Sequence, residues 1–205
     1  MQTSKSIVLA LVFGAVSACN AFAQTATTKV GVAAPAFTAI DTRGATQNLE
    51  AYRGKWVVLE WFNHDCPYTK KHYGTDNMQA LQREYTKRGV AWLAIASSAP
   101  GKEGFTTQDR ANALTVEKKA APTAVIRDTS GTIGHLYGAR NTPQLFVIDP
   151  QGVLRYAGAI DNKPTTRPED VRGATNYLRQ ALDAGLSGKA ISTPVTQPYG
   201  CTVQY

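Results

Sequence analysis

Val57-Val58-Leu59-Glu60-Trp61-Phe62 runs straight into Asn63-His64-Asp65-Cys66-Pro67-Tyr68-Thr69-Lys70. With Trp56, the first six residues make a nearly continuous apolar run, the mark of a strand covered on both faces. Pro67 suits a first helical turn, where its missing N–H leaves no acceptor unpaired. The pattern predicts a helix over 67–88, with Met78, Leu81 and Tyr85 on its buried face and Gly89 ending it. Cys66 therefore sits between a buried strand and a helix entrance. The free N–H groups and positive dipole end there favour a thiolate over a thiol. Lys70 and Lys71 add to that preference and Asp65 opposes it. Redox chemistry at an accessible Cys66 is the leading expectation.

Outward from this segment, strands and helices alternate. Residues 90–96 read as a second buried strand, 97–109 as a polar loop, 110–119 as a helix, 124–127 as a strand and 133–137 as a short helix closed by Gly138. Residues 144–148 and 153–159 flank Asp149-Pro150-Gln151-Gly152, whose Pro and Gly positions suit a type I turn. A last helix is expected over 168–186, with Val171, Ala174, Leu178 and Leu182 as its stripe. Upstream, 35–40 and 46–49 form a hairpin around Asp41-Thr42-Arg43-Gly44. The order predicts an α/β fold, a central mixed sheet with helices on both faces.

The 205-residue chain carries a formal charge of +7. Residues 1–23 read as a secretory signal: Lys5, an apolar stretch over 7–18, and Ala21-Phe22-Ala23 as a small-x-small cleavage site. The stretch is short for a membrane span. A rival reading makes Val16-Ser17-Ala18-Cys19 a lipoprotein box with Cys19 lipidated; plain cleavage near Gln24 and a periplasmic location are favoured. Loss of Lys5 takes the charge to +6. The positive residues are scattered and no basic run of five or more occurs to suit nucleic acid. The expected division is a leader over 24–34 that is flexible, one domain over 35–186, and a tail over 187–205 lying across it. Cys66 and Cys201 are the cysteines that remain after cleavage, and an oxidising compartment permits their pairing without requiring it.

With Asn141-Thr142-Pro143 before the hairpin, the chain resembles the thioredoxin fold. "LEAYRGKWVVLEWF", "CPYTKKH", "TPQLFVIDPQGVLRYAGAID" and "GCTVQY" resemble the redoxin branch, the alkyl hydroperoxide reductase and thiol-specific antioxidant family, in its peroxiredoxin-like group. The resemblance implies that Pro143 is a cis proline facing Cys66, with Thr142 offering backbone groups to a bound partner. Two departures count. A peroxiredoxin has a threonine three residues before its peroxide-attacking cysteine, where this chain has Asn63. A dithiol protein has C-x-x-C, where this chain has Thr69 in place of the second cysteine.

The expected activity is exported thiol–disulfide exchange, with Cys66 as nucleophile and the mixed disulfide resolved by Cys201 if the tail reaches it, or by an external thiol such as glutathione. Pro67, Tyr68, Thr142 and Pro143 shape the substrate site. His64 and Thr69 support it, His64 by holding a proton and Thr69 by a hydrogen bond to the sulfur. His72 reads as a solvated helix residue, His135 as structural and Trp61 as core. Substrates would be protein or low-mass thiols and disulfides. No metal, cofactor, nucleic acid or nucleotide is called for. Two alternatives stay open: a thiol-dependent peroxidase, and a non-catalytic module that binds a peptide or a metal.

Overall fold

A computed structural model describes residues 28–205. The signal segment, Cys19 and the start of the leader lie outside the described residues.

The elements run β1 (Thr38–Ile40), β2 (Thr46–Asn48), a 3-10 turn (Leu49–Tyr52), β3 (Val57–Trp61), α1 (Pro67–Gly74), α2 (Asn77–Lys87), β4 (Ala91–Ala96), α3 (Gln108–Glu117), β5 (Ala124–Arg127) and α4 (Thr132–Tyr137). They continue with β6 (Asn141–Thr142), β7 (Gln144–Ile148), β8 (Leu154–Gly158), a 3-10 turn (Pro168–Val171), α5 (Tyr177–Leu186) and β9 (Cys201–Thr202). The central sheet has the order β5-β4-β3-β7-β8. β3 pairs parallel with β4 and antiparallel with β7. This is the mixed, helix-flanked, thioredoxin-like sheet that the sequence predicts.

Strand periodicity separates two apolar layers. Val57, Leu59 and Trp61 face one side with Leu93, Ile95, Phe146 and Ile148, under Phe37, Leu49, Ile133 and Tyr137. Val58, Trp92, Leu145 and Val147 face the other, under Met78, Leu81 and Tyr85 of α2 and Leu178 and Leu182 of α5. Both faces of β3 are sealed, which explains its unbroken apolar run.

The expected 67–88 helix is two helices. Asp76 stands at φ 60°, in the left-handed region. Gly74 is a weak helix former, the Thr75 hydroxyl bonds back to Lys71 O at 2.8 Å, and Asp tolerates that backbone better than most residues. The far end of α2 closes as read: Gly89 at φ 88° lets Val90 N bond Tyr85 O and Gly89 N bond Thr86 O, a Schellman motif.

The expected 168–186 helix also shortens. Asn176 caps α5, accepting from Arg179 N at 2.8 Å, and Gly173 lies in the break before it. Val171 and Ala174 are thus only half-buried, outside the stripe. The described end of the leader is bound rather than free: Gly31 N donates to Leu154 O and Ala34 N to Gly152 O.

Candidate active site

Cys66 is the residue before α1, in extended conformation at φ −61° and ψ 123°, and Lys70 N donates to its carbonyl at 2.8 Å. Its sulfur is at the helix entrance, where the sequence puts it. Thr142–Pro143 is a cis peptide bond, and Thr142 O lies 3.1 Å from Cys66 Sγ. Cys66 is disulfide-bonded to Cys201, with 5.9 Å between the Cα atoms. A disulfide sulfur carries no proton, so the approach to Thr142 O is a packing contact in this state. The reduced thiol would donate there.

The tail comes to the site as a strand. β9 pairs antiparallel with β6, setting Cys201 opposite Thr142 and Thr202 opposite Asn141. Asn141 Nδ2 donates to Gly200 O at 3.1 Å and Val203 N to Arg140 O at 3.0 Å. Coverage by the tail overturns one expectation: Cys66 is 0% exposed. Cys201 is half-buried and is the more open of the two.

Pro67 is exposed and Tyr68 half-buried, at the rim. The Tyr68 ring is 5.8 Å from that of Tyr199 on the tail. Thr69 is buried, but its Oγ1 has no hydrogen-bond partner among the described residues, so the expected bond to sulfur is not made. His64 forms a 3.2 Å pair with Asp65 Oδ2. Burial pushes the imidazole below its ordinary value; Asp65 counters, and Arg110, Lys70 and Lys118 add to the lowering. His64 and Thr69 both line a small cavity of about 50 Å³ with Phe62, Tyr73, Ala94 and Leu114.

His72 is buried, not solvated. It belongs to a cluster that the sequence reading missed. The Tyr199 hydroxyl donates to Asp161 Oδ1. It accepts from His72 Nε2 at 3.2 Å and from Lys71 Nζ at 3.4 Å. Asn77 Nδ2 donates to His72 Nδ1 at 2.8 Å, and Lys71 Nζ also donates to Lys163 O at 2.7 Å. Each ring nitrogen has one role, as a neutral imidazole requires. Burial, then the Lys71 ammonium, hold His72 down to about 3. Burial also pulls Lys71 below its ordinary value, against Asp161 and Asp170. The cluster ties the tail, two residues before Cys201, to the helix that begins after Cys66. The one signal for it in the sequence is Tyr199 so close to Cys201.

Glu60, on the central strand, is a second buried ionisable group. Its carboxyl accepts from Trp92 Nε1 at 2.7 Å, Tyr73 OH at 2.8 Å and Gln82 Nε2 at 3.0 Å. Burial pushes it above the usual carboxylate range and the three donors pull against that. No group of three His, Cys, Asp or Glu side chains placed to hold a metal occurs among the described residues. Nor is any helix among them long and apolar enough to cross a membrane.

The chain is 27% identical over 159 residues to the thiol-disulfide oxidoreductase ResA of Geobacillus kaustophilus, covering 76% of this chain and 83% of that one. Among solved structures it is similar to a hypothetical protein from Sinorhizobium meliloti, with a TM-score of 0.74 and 24% identity, over 86% of this chain and 94% of the other. The thioredoxin domain of a thiol-disulfide oxidoreductase from Bacteroides vulgatus superposes with a TM-score of 0.51 and 16% identity, over 71% and 96% of the two chains. These two likenesses establish the fold. Residues 30–157, from the bound leader through β8, match the family that the Cys66 segment resembles, and so the chain belongs to the AhpC/TSA family.

Proposed function

We propose that this protein is a thiol–disulfide oxidoreductase that cycles Cys66 and Cys201 between dithiol and disulfide. The observation that carries the reading is the Cys66–Cys201 bond at the start of α1, beside the Thr142–Pro143 cis peptide. The activity named for the Geobacillus kaustophilus relative supports it.

In the reducing direction, the Cys66 thiolate attacks one sulfur of a substrate disulfide, and the other sulfur leaves as a thiolate. Cys201, as thiolate, then attacks Cys66 Sγ in the mixed disulfide. The second substrate sulfur leaves, and the protein keeps the 66–201 bond. Two electrons pass from the protein to the substrate, and an external thiol reductant restores them. Cys201 fills the position for which Thr69 has no chemistry. Thr142 and Pro143 shape the docking site, with Pro67 and Tyr68 at its rim, while His64 and Thr69 flank Cys66 along the chain and line the neighbouring cavity. The substrates in this reading are protein or low-mass thiols and disulfides.

The segment over 1–23 supports export to the periplasm, where such a bond persists. N-terminal sequencing of the processed protein tests this, with Gln24 as the expected first residue.

The function is tested by reduction of insulin disulfides with a dithiol as electron source, together with non-reducing peptide mapping of the oxidised protein. The reading requires turnover that Cys66→Ser abolishes and a peptide joining 66 to 201. Full turnover by Cys66→Ser removes that thiol from the mechanism.

A further inference from the structure

The tail occupies the site as a bound polypeptide would. Its backbone is paired on two sides: Val203 N donates to Arg140 O at 3.0 Å, and Ala99 N donates to Gln204 O at 2.9 Å. Main-chain pairing of this kind carries affinity without sequence preference, and the side-chain slots supply the preference. Those slots are visible here, and they alternate as an extended strand requires.

The first slot is closed. A Cβ on Gly200 would lie 2.0 Å from Thr142 O, and its φ is +126°. Only glycine fits immediately before the cysteine. Cys201 meets Cys66, and Thr202 faces solvent. Val203 is buried and joins the core layer of Leu59, Trp61 and Phe146. Tyr205 fills an aromatic slot. Its ring stacks on His135 with centroids 3.9 Å apart, and its hydroxyl donates to Ala139 O at 2.7 Å. The floor of that slot is bare backbone: a Cβ on Gly131 or Gly134 would come within 2.5 Å or 2.4 Å of the Tyr205 ring.

Resting on the oxidoreductase reading above, we propose that residues 200–205 stand in for the substrate. The groove then selects an extended polypeptide segment of the form Gly-Cys-x-Val-x-Tyr: glycine before the cysteine, an aliphatic residue two after it, an aromatic residue four after it. The tail is both resolving arm and competitor. While tethered, it holds the groove at the high effective concentration of an intramolecular ligand. A substrate enters after the 66–201 bond is reduced, when strand pairing, the slots and the Tyr199 cluster are all that retain the tail.

The test uses the full chain carrying Cys201→Ser, which leaves Cys66 as the attacking thiol. The probe is the peptide Gly-Cys-Thr-Val-Gln-Tyr with its cysteine joined to thionitrobenzoate. Attack by Cys66 links the peptide to the protein and releases the coloured thiolate. The expected rate is at least tenfold above that of the glutathione–thionitrobenzoate disulfide. Changing the peptide's Gly to Ala, Val to Ser or Tyr to Ala should each lower it about fivefold or more. Adding Tyr205→Ala to the protein, to loosen the tail, should speed the unaltered peptide severalfold. Rates within twofold for all peptides and for the glutathione probe overturn the inference and leave the oxidoreductase reading standing. No release from any probe overturns both.

Discussion

The Tyr199 hydroxyl donates to Asp161 Oδ1 while accepting from His72 Nε2. One phenol thus fastens the tail that carries Cys201 to the helix that follows Cys66. Tyr199→Phe keeps the ring against Tyr68 and leaves a buried carboxylate, an imidazole and an ammonium short of a partner. The expected cost is about 1–3 kcal/mol of folding stability. Faster reduction of the 66–201 bond by dithiothreitol should accompany it. Thermal unfolding and a thiol-release time course measure the two effects; an unchanged reduction rate would show that the cluster does not hold the tail.

The same cluster sets an acid-side limit. His72 titrates at about 3 in the folded protein, against about 6.5 when unfolded. Between these values the unfolded chain binds more protons, so stability falls as pH drops. The stability that the neutral imidazole confers is fully present above pH 6.5 and is lost progressively toward pH 3. The slope is at most about 1.4 kcal/mol per pH unit. Urea unfolding at pH 7 and pH 5 should reveal it, and His72→Asn should flatten it.

Glu60 works in the opposite sense. Its folded value is raised, so the stability it contributes is complete below the unfolded carboxylate value and is lost as pH rises through the folded one. Glu60→Gln should therefore gain on the parent protein as the solution is made more alkaline. Glu60→Leu orphans the Trp92, Tyr73 and Gln82 donors and should cost about 2–4 kcal/mol. Chemical denaturation across pH separates the two variants. A Leu variant as stable as the parent would mean that those donors find other partners.

Thr69 offers a stabilising change. Its buried hydroxyl has no partner among the described residues, so Thr69→Val removes a desolvated polar atom while keeping the shape. Melting should rise by the equivalent of about 1 kcal/mol. A fall in insulin reduction with unchanged melting would instead assign that hydroxyl a part in the chemistry.

Legibility in the sequence followed the range of the physics. β3, the helix entrance at Cys66 and the closure at Gly89 are set by neighbours within a few residues, and they were readable. Gly74-Thr75-Asp76 misled because the apolar spacing of Met78, Leu81 and Tyr85 belongs to α2 alone and does not show where a helix begins. His72 read as solvated, and Lys71 as a charge serving Cys66, because their burial depends on Asp161 and Tyr199, which arrive from far along the chain. The expected openness of Cys66 failed for the same reason: the coverage comes from residues near position 200. Glu60 passed as one polar residue in a strand, since its three donors come from α1, α2 and β4.

The bond between Cys66 and Cys201 spans 135 residues of sequence. On a chain-entropy basis a ring of that size restrains the unfolded state by about 5 kcal/mol. In the proposed cycle the two sulfur atoms that exchange electrons are also the rivet joining the start of α1 to the final strand. Each catalytic round would undo and remake that rivet, so the electron state of the protein is written into its resistance to heat and proteases, with the reduced form the frailer of the two.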